Sequence, residues 1–226
     1  MEAARDEHAD IVRRLESFSD IVIGFALAQT ALTLVIPPNP SSFYTHPLGI
    51  LGYAITFTVI ARFWWDHAEI FRHYFVPSRL TIALNFAALA ALGLFVFSLQ
   101  LWLHPNQSNA SEILMAKGYI VTFAVTNGLM ACLRLIGAQA RAAHLTPERR
   151  KRAFSLSVRT LCVAAGSVAG AFTPPIPGLE QSALYAGIRL GAFPAELFIG
   201  IVGGMLAARI AAIVIGKRDW GPPAKA

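Results

Sequence analysis

The 226-residue sequence predicts an all-α fold, a polytopic membrane bundle of about six transmembrane helices. Three observations lead there. Apolar residues make up 55% of the chain and charged residues only 14%, where soluble proteins carry about 45–50% and about 25%. Uncharged apolar stretches recur, and about 18 or more such residues are needed to cross a hydrocarbon core about 30 Å thick. Proline-rich or charged turns separate them. No low-complexity linker interrupts the chain, so residues 1–226 read as a single six-helix membrane domain.

The first apolar run extends from about Phe18 to Ile36 and stops at Pro37-Pro38-Asn39-Pro40. The second covers about Leu48 to Trp65 and closes in Arg62, Asp66 and His67; the third runs from about Leu80 to Leu103, before His104-Pro105-Asn106. A fourth spans about Ile113 to Ile136. A basic loop over about 137–153 leads to the fifth, Phe154 to Phe172, which ends at Pro174-Pro175-Ile176-Pro177. The last helix has two possible starts, near Leu184 or at Pro194. The later one, ending near Gly216, is favoured because proline suits a first helical turn and Glu196 then stays near the interface.

Seventeen of the 19 Lys and Arg residues fall on one side of this arrangement, leaving Lys117 and Arg189 on the other. The positive-inside rule then predicts both termini in the cytoplasm. That bias also accounts for the net charge of +6. Arg149-Arg150-Lys151-Arg152 reads as a topology anchor meeting anionic lipid heads, so no nucleic-acid partner is expected. Lys117 and Arg159 lie about a turn inside their spans and can extend to the nearer interface. Cys132 and Cys162 sit within predicted spans and form no disulfide framework. Met1 to Asp10 is acidic, lacking the basic start of a cleavable signal, so the first helix is expected to remain in the membrane.

Polar residues at the helix ends carry the most information. The first helix opens with Arg14-Leu15-Glu16-Ser17-Phe18-Ser19-Asp20, the second closes with Trp65, His67 and Phe71, and the third contains Leu84-Asn85-Phe86. Capping by Ser19 and Asp20 of otherwise unpaired amides is the simpler reading. The alternative is one polar network joining three neighbouring helix ends. No carboxylate or cysteine stands at ligand-like spacing from His67, so no metal site is expected.

In these residues the sequence resembles the potassium-channel family of transmembrane protein 175, lysosomal-type channels with short bacterial six-helix members. Arg14, Phe18, Ser19 and Asp20 match its Arg-x-x-x-Phe-Ser-Asp hallmark. Trp65, His67 and Phe71 resemble its aromatic-His-Phe signature, and Asn85 matches the Leu-Asn of its third helix. The resemblance implies a structural polar network of Arg14, Phe18, Ser19, Asp20, His67 and Asn85 behind a pore-lining first helix. It also implies a homotetramer in a lipid membrane, here expected to be a prokaryotic plasma membrane. The permeant ion would be a monovalent cation, potassium, with no cofactor. Counting from Asp20, the family's pore layers correspond to Phe25, Ala28, Gln29 and Leu32. Phe25 stands where the family usually has Ile or Leu, and Ala28 where many members have Thr.

No Thr-Val-Gly-Tyr-Gly loop occurs, so the expected device is a hydrophobic constriction, not a P-loop filter. Lipid contact for Phe25 and an interhelical hydrogen bond for Gln29 are the plainer alternatives. Gly166 with Gly170, and Gly200 with Gly204, have the spacing that lets helices approach closely. Ser98, Ser167 and Cys162 lack an evident His or Asp partner at their depth, so no enzyme is expected. A secondary transporter or another ion conduit is the alternative function, hinted at by Pro194 and Glu196.

Overall fold

A computed structural model describes residues 2–32, 47–102, 109–173 and 195–216, with side chains for 9–32, 53–102, 113–173 and 200–216. These residues are helical apart from short connections, and they contain no strand. The helices are α1 (Glu2–Ala31), α2 (Pro47–His73), α3 (Arg79–Trp102), α4 (Asn109–Ala140), α5 (Pro147–Phe172) and α6 (Ala195–Gly216). The fold is thus an all-helical membrane bundle. Among the described residues, Arg79–Trp102, Ile113–Ala140 and Pro147–Phe172 are long and apolar enough to span a bilayer, and Gly200–Gly216 is a shorter apolar stretch. The Pro37–Pro40 turn, the His104–Asn106 turn, Pro174–Pro177, Leu184, Arg189, Pro194, Lys217, Arg218 and Lys225 lie outside the described residues, as does the Glu196 side chain.

Several helices run past their apolar stretches. α1 is helical from Glu2, some four turns before Phe18, because its start is rich in Ala, Glu and Arg and holds an i,i+4 pair between Asp10 and Arg14. The basic segment expected as a loop over 137–153 is mostly helix, since α4 continues to Ala140 and α5 begins at Pro147. Thr146 caps that start by accepting from the Arg149 amide at 3.3 Å, and Pro147 occupies the position that needs no N–H. α3 begins in a comparable way. Ser78 Oγ accepts from the Thr81 amide at 3.2 Å, while Thr81 Oγ1 accepts from the Ser78 amide at 2.9 Å.

α3 packs on α4, α4 on α5 and α5 on α6, whereas α1 rests on α2 and α3. Two apolar clusters fill the interior. One joins Ile23, Ile60, Phe63, Leu92, Phe95 and Tyr119; the other joins Ile70, Phe71, Tyr74, Phe75, Met130 and Leu133.

The two glycine pairs face each other across α5 and α6. A Cβ built on Gly200 would stand 2.7 Å from the Gly170 Cα, and one on Gly166 would stand 2.7 Å from the Gly204 Cα. Neither neighbour is a side chain that could turn away. Gly200→Val is therefore expected to force the helices apart and to destabilise the bundle by about 3 kcal/mol or more. Thermal melting in detergent checks this, with Gly203→Val as control, since a Cβ there meets nothing within 4 Å. Equal melting of the two variants would refute a close helix crossing.

Candidate functional site

α1 has two chemically distinct faces. Ser19, Ile23, Ala26 and Thr30, spaced by four, three and four residues, are buried. Ile21, Phe25, Ala28 and Leu32 repeat the same spacing on another face and are exposed, Phe25 to 65% and Leu32 to 71%. Helical periodicity separates the two sets because steps of three and four return to one side of the cylinder.

On the buried face, three helices meet through one hydrogen-bonded chain. The Ser19 hydroxyl donates to the Leu15 carbonyl at 2.8 Å and accepts from Asn85 Nδ2 at 3.1 Å. Asn85 Oδ1 is then left to accept from His67 Nε2 at 2.9 Å. This order places the imidazole proton on Nε2. His67 Nδ1 has no hydrogen-bond partner, and the ring stacks on Phe71 at 4.4 Å, which in turn stacks on Phe75 at 4.2 Å. Ser19, His67 and Asn85 are all essentially inaccessible. Each satisfies a polar group of a different helix, so the chain sets the rotation of α1 against α2 and α3.

The other residues grouped with this network go elsewhere. Asp20 accepts from Trp64 Nε1 at 3.0 Å, on the exposed side of α1. Arg14 pairs with Asp10 at 2.8 Å and not with Asp20. Asp10 lies four residues away, on the same side of the helix, whereas Asp20 lies six away, about 120° around it. Removing Asp20 would therefore release Trp64 and leave the Arg14 pair intact. Phe18 stands half-exposed, edge-on to Phe86 at 5.7 Å.

Of the four positions assigned to the pore, Phe25, Ala28 and Leu32 share the exposed face. Gln29 is turned toward α3. Gln100 Nε2 stands 3.4 Å from both its backbone oxygen and its Oε1. The two glutamines border a cleft of about 280 Å³ between α1 and α3, also lined by Phe25, Gly93 and Phe97. Gln29 thus makes the interhelical contact that was the plainer reading of its amide.

A second polar cluster went unrecognised in the sequence. Asp66 on α2 forms ion pairs with Arg62 at 2.9 Å and with Arg134 of α4 at 3.3 Å, and Glu69 meets Arg152 of α5 at 3.4 Å. Arg134 is 2% exposed. An arginine inside the apolar run 113–136 was the available signal, because such a charge needs a buried partner. Beyond the end of α2's apolar stretch, burial and then the charge of Arg149 hold the His73 imidazole below the usual histidine range. Burial and then Glu69 push the Tyr74 hydroxyl above the usual range for tyrosine. Ser98 and Ser167 donate to carbonyls of their own helices.

An all-helical integral membrane protein whose first three helices are locked by a Ser-His-Asn chain is the class that fold and site define. Residues 14–96 match the family model described as endosomal/lysosomal potassium channel TMEM175. That segment holds most of α1, all of α2 and most of α3, and over it the chain is similar to this family. A curated protein of Marivirga tractuosa described as "Potassium channel" is 29% identical over 87 residues, 38% of this chain and 35% of that protein. The chain therefore matches about a third of the length of that relative. No solved structure matches.

Proposed function

We propose that the chain is one subunit of a potassium-permeable, leak-type channel, a homotetramer whose pore is lined by α1 of each copy and closed by a hydrophobic constriction. The observation that carries this reading is the exposed stripe of Ile21, Phe25, Ala28 and Leu32 on the helix that also bears the family's motif. Four copies of that stripe around an axis would leave a narrow apolar passage, where water is unstable and ions stop unless it widens. One subunit cannot enclose such a path. The bias of Lys and Arg along the sequence supports cytoplasmic termini, and the similarity to a Marivirga tractuosa protein supports a prokaryotic plasma membrane.

Purified protein in liposomes should pass potassium passively down its gradient, faster than sodium or protons, and a Phe25→Cys variant should cross-link between subunits within a detergent-stable tetramer. Saturable uptake coupled to a counter-ion would instead indicate a transporter. A monomer carrying such uptake would refute the pore.

A further inference from the structure

α1 does not end where its apolar stretch ends. It is one continuous helix from Glu2 to Ala31, so the direction of its exposed face carries on without a break into the charged segment before Phe18. At about 100° per residue, Asp10, Arg14, Ile21, Phe25, Ala28 and Leu32 all fall within about 35° of one line along the helix. Asp20 lies about 110° from that line and Glu16 about 150°. The Arg14 side chain is 81% exposed and that of Asp10 52%, and they are joined at 2.8 Å. A solvated pair of this kind contributes only about 0–1 kcal/mol to stability, so holding the fold together is a poor account of it.

We infer that Asp10 and Arg14 form a charged ring at the cytoplasmic mouth of the pore, in which Asp10 neutralises Arg14 and so lets cations enter. This rests on the channel reading above. Arg14 lies about 10 Å below Ile21 along the helix, and Asp10 about 6 Å further. Around a four-fold axis the helices would present four guanidinium groups on the ion path. Charged rings set which ions approach a pore, and an uncompensated cationic ring repels potassium. The carboxylate of each Asp10, held against the guanidinium of its own helix, cancels that barrier. Asp10 thereby acts as a permeation residue outside the apolar constriction, and its effect is electrostatic, so it depends on ionic strength.

Potassium flux through the reconstituted tetramer, measured in dilute and in roughly 1 M salt, tests this, since the screening length falls from about 30 Å at 0.01 M to about 3 Å at 1 M. Asp10→Asn should lower flux several-fold in dilute salt and much less in concentrated salt. Arg14→Gln should raise it, and the double variant should return to the level of the unaltered protein. Asp10→Asn with unchanged flux in dilute salt, or a double variant as impaired as the single one, would overturn the ring. If Asp10→Asn does not assemble, Arg14→Gln decides: unchanged or lower flux overturns the inference. Absence of flux through the unaltered tetramer would overturn the channel reading itself, and the ring with it.

Discussion

Phe25→Ala is expected to raise potassium flux several-fold and to reduce discrimination between potassium and sodium. Phe25 is the bulkiest side chain on the exposed face of α1, and it lies between Ile21 and Leu32, a turn or more from either. Under the pore reading proposed above it stands at the constriction, where an aromatic ring fills more of a narrow axis than any neighbour. Truncating it widens an apolar section, and a wider section holds water more stably. Gln29→Ala should behave differently. Its amide contacts Gln100, so its loss should loosen α1 against α3 and leave the constriction in place. Liposome flux of potassium and sodium, read beside tetramer stability, separates the two. Unchanged flux in Phe25→Ala together with increased flux in Leu32→Ala would move the gate about two turns outward.

The second large effect is on stability. Asp66→Ala should destabilise the bundle by about 3–5 kcal/mol, because it leaves the buried Arg134 guanidinium without the carboxylate that compensates it. The cost comes from the stranded charge more than from the lost attraction. Asp66→Ala combined with Arg134→Met should therefore recover most of the loss, as an apolar side chain of similar length needs no partner. Glu69→Ala should cost about 1 kcal/mol or less, since its partner Arg152 is 67% exposed and regains water readily. Thermal melting in detergent ranks the variants. A double variant no more stable than Asp66→Ala would show that Asp66 matters for something other than neutralising Arg134.

The helices were legible in the sequence because crossing a membrane imposes a local requirement, a long apolar run ended by proline or charge. α3, α4 and α5 follow that requirement closely. The extensions of α1 to Glu2 and of α5 back to Pro147 were not read, since charged residues end an apolar run without ending a helix. The His67, Asn85 and Ser19 group was legible only as motifs in order. Their spacing names three helix ends but not which atoms meet.

By itself the sequence determined an all-helical membrane protein, its likeness to the TMEM175 family over residues 14–96 and the glycines able to form a close crossing. Those properties depend on composition and on the helical period, which act within one element. Tertiary structure alone decided that Asp20 takes Trp64, that Gln29 turns to Gln100, and that Asp66 reaches Arg134 on α4. Such pairings depend on how each helix is rotated and how deep it sits against its neighbours. Rotation and depth are set jointly by buried hydrogen bonds, glycine contacts and side-chain volume across several helices, and no single stretch of sequence contains them.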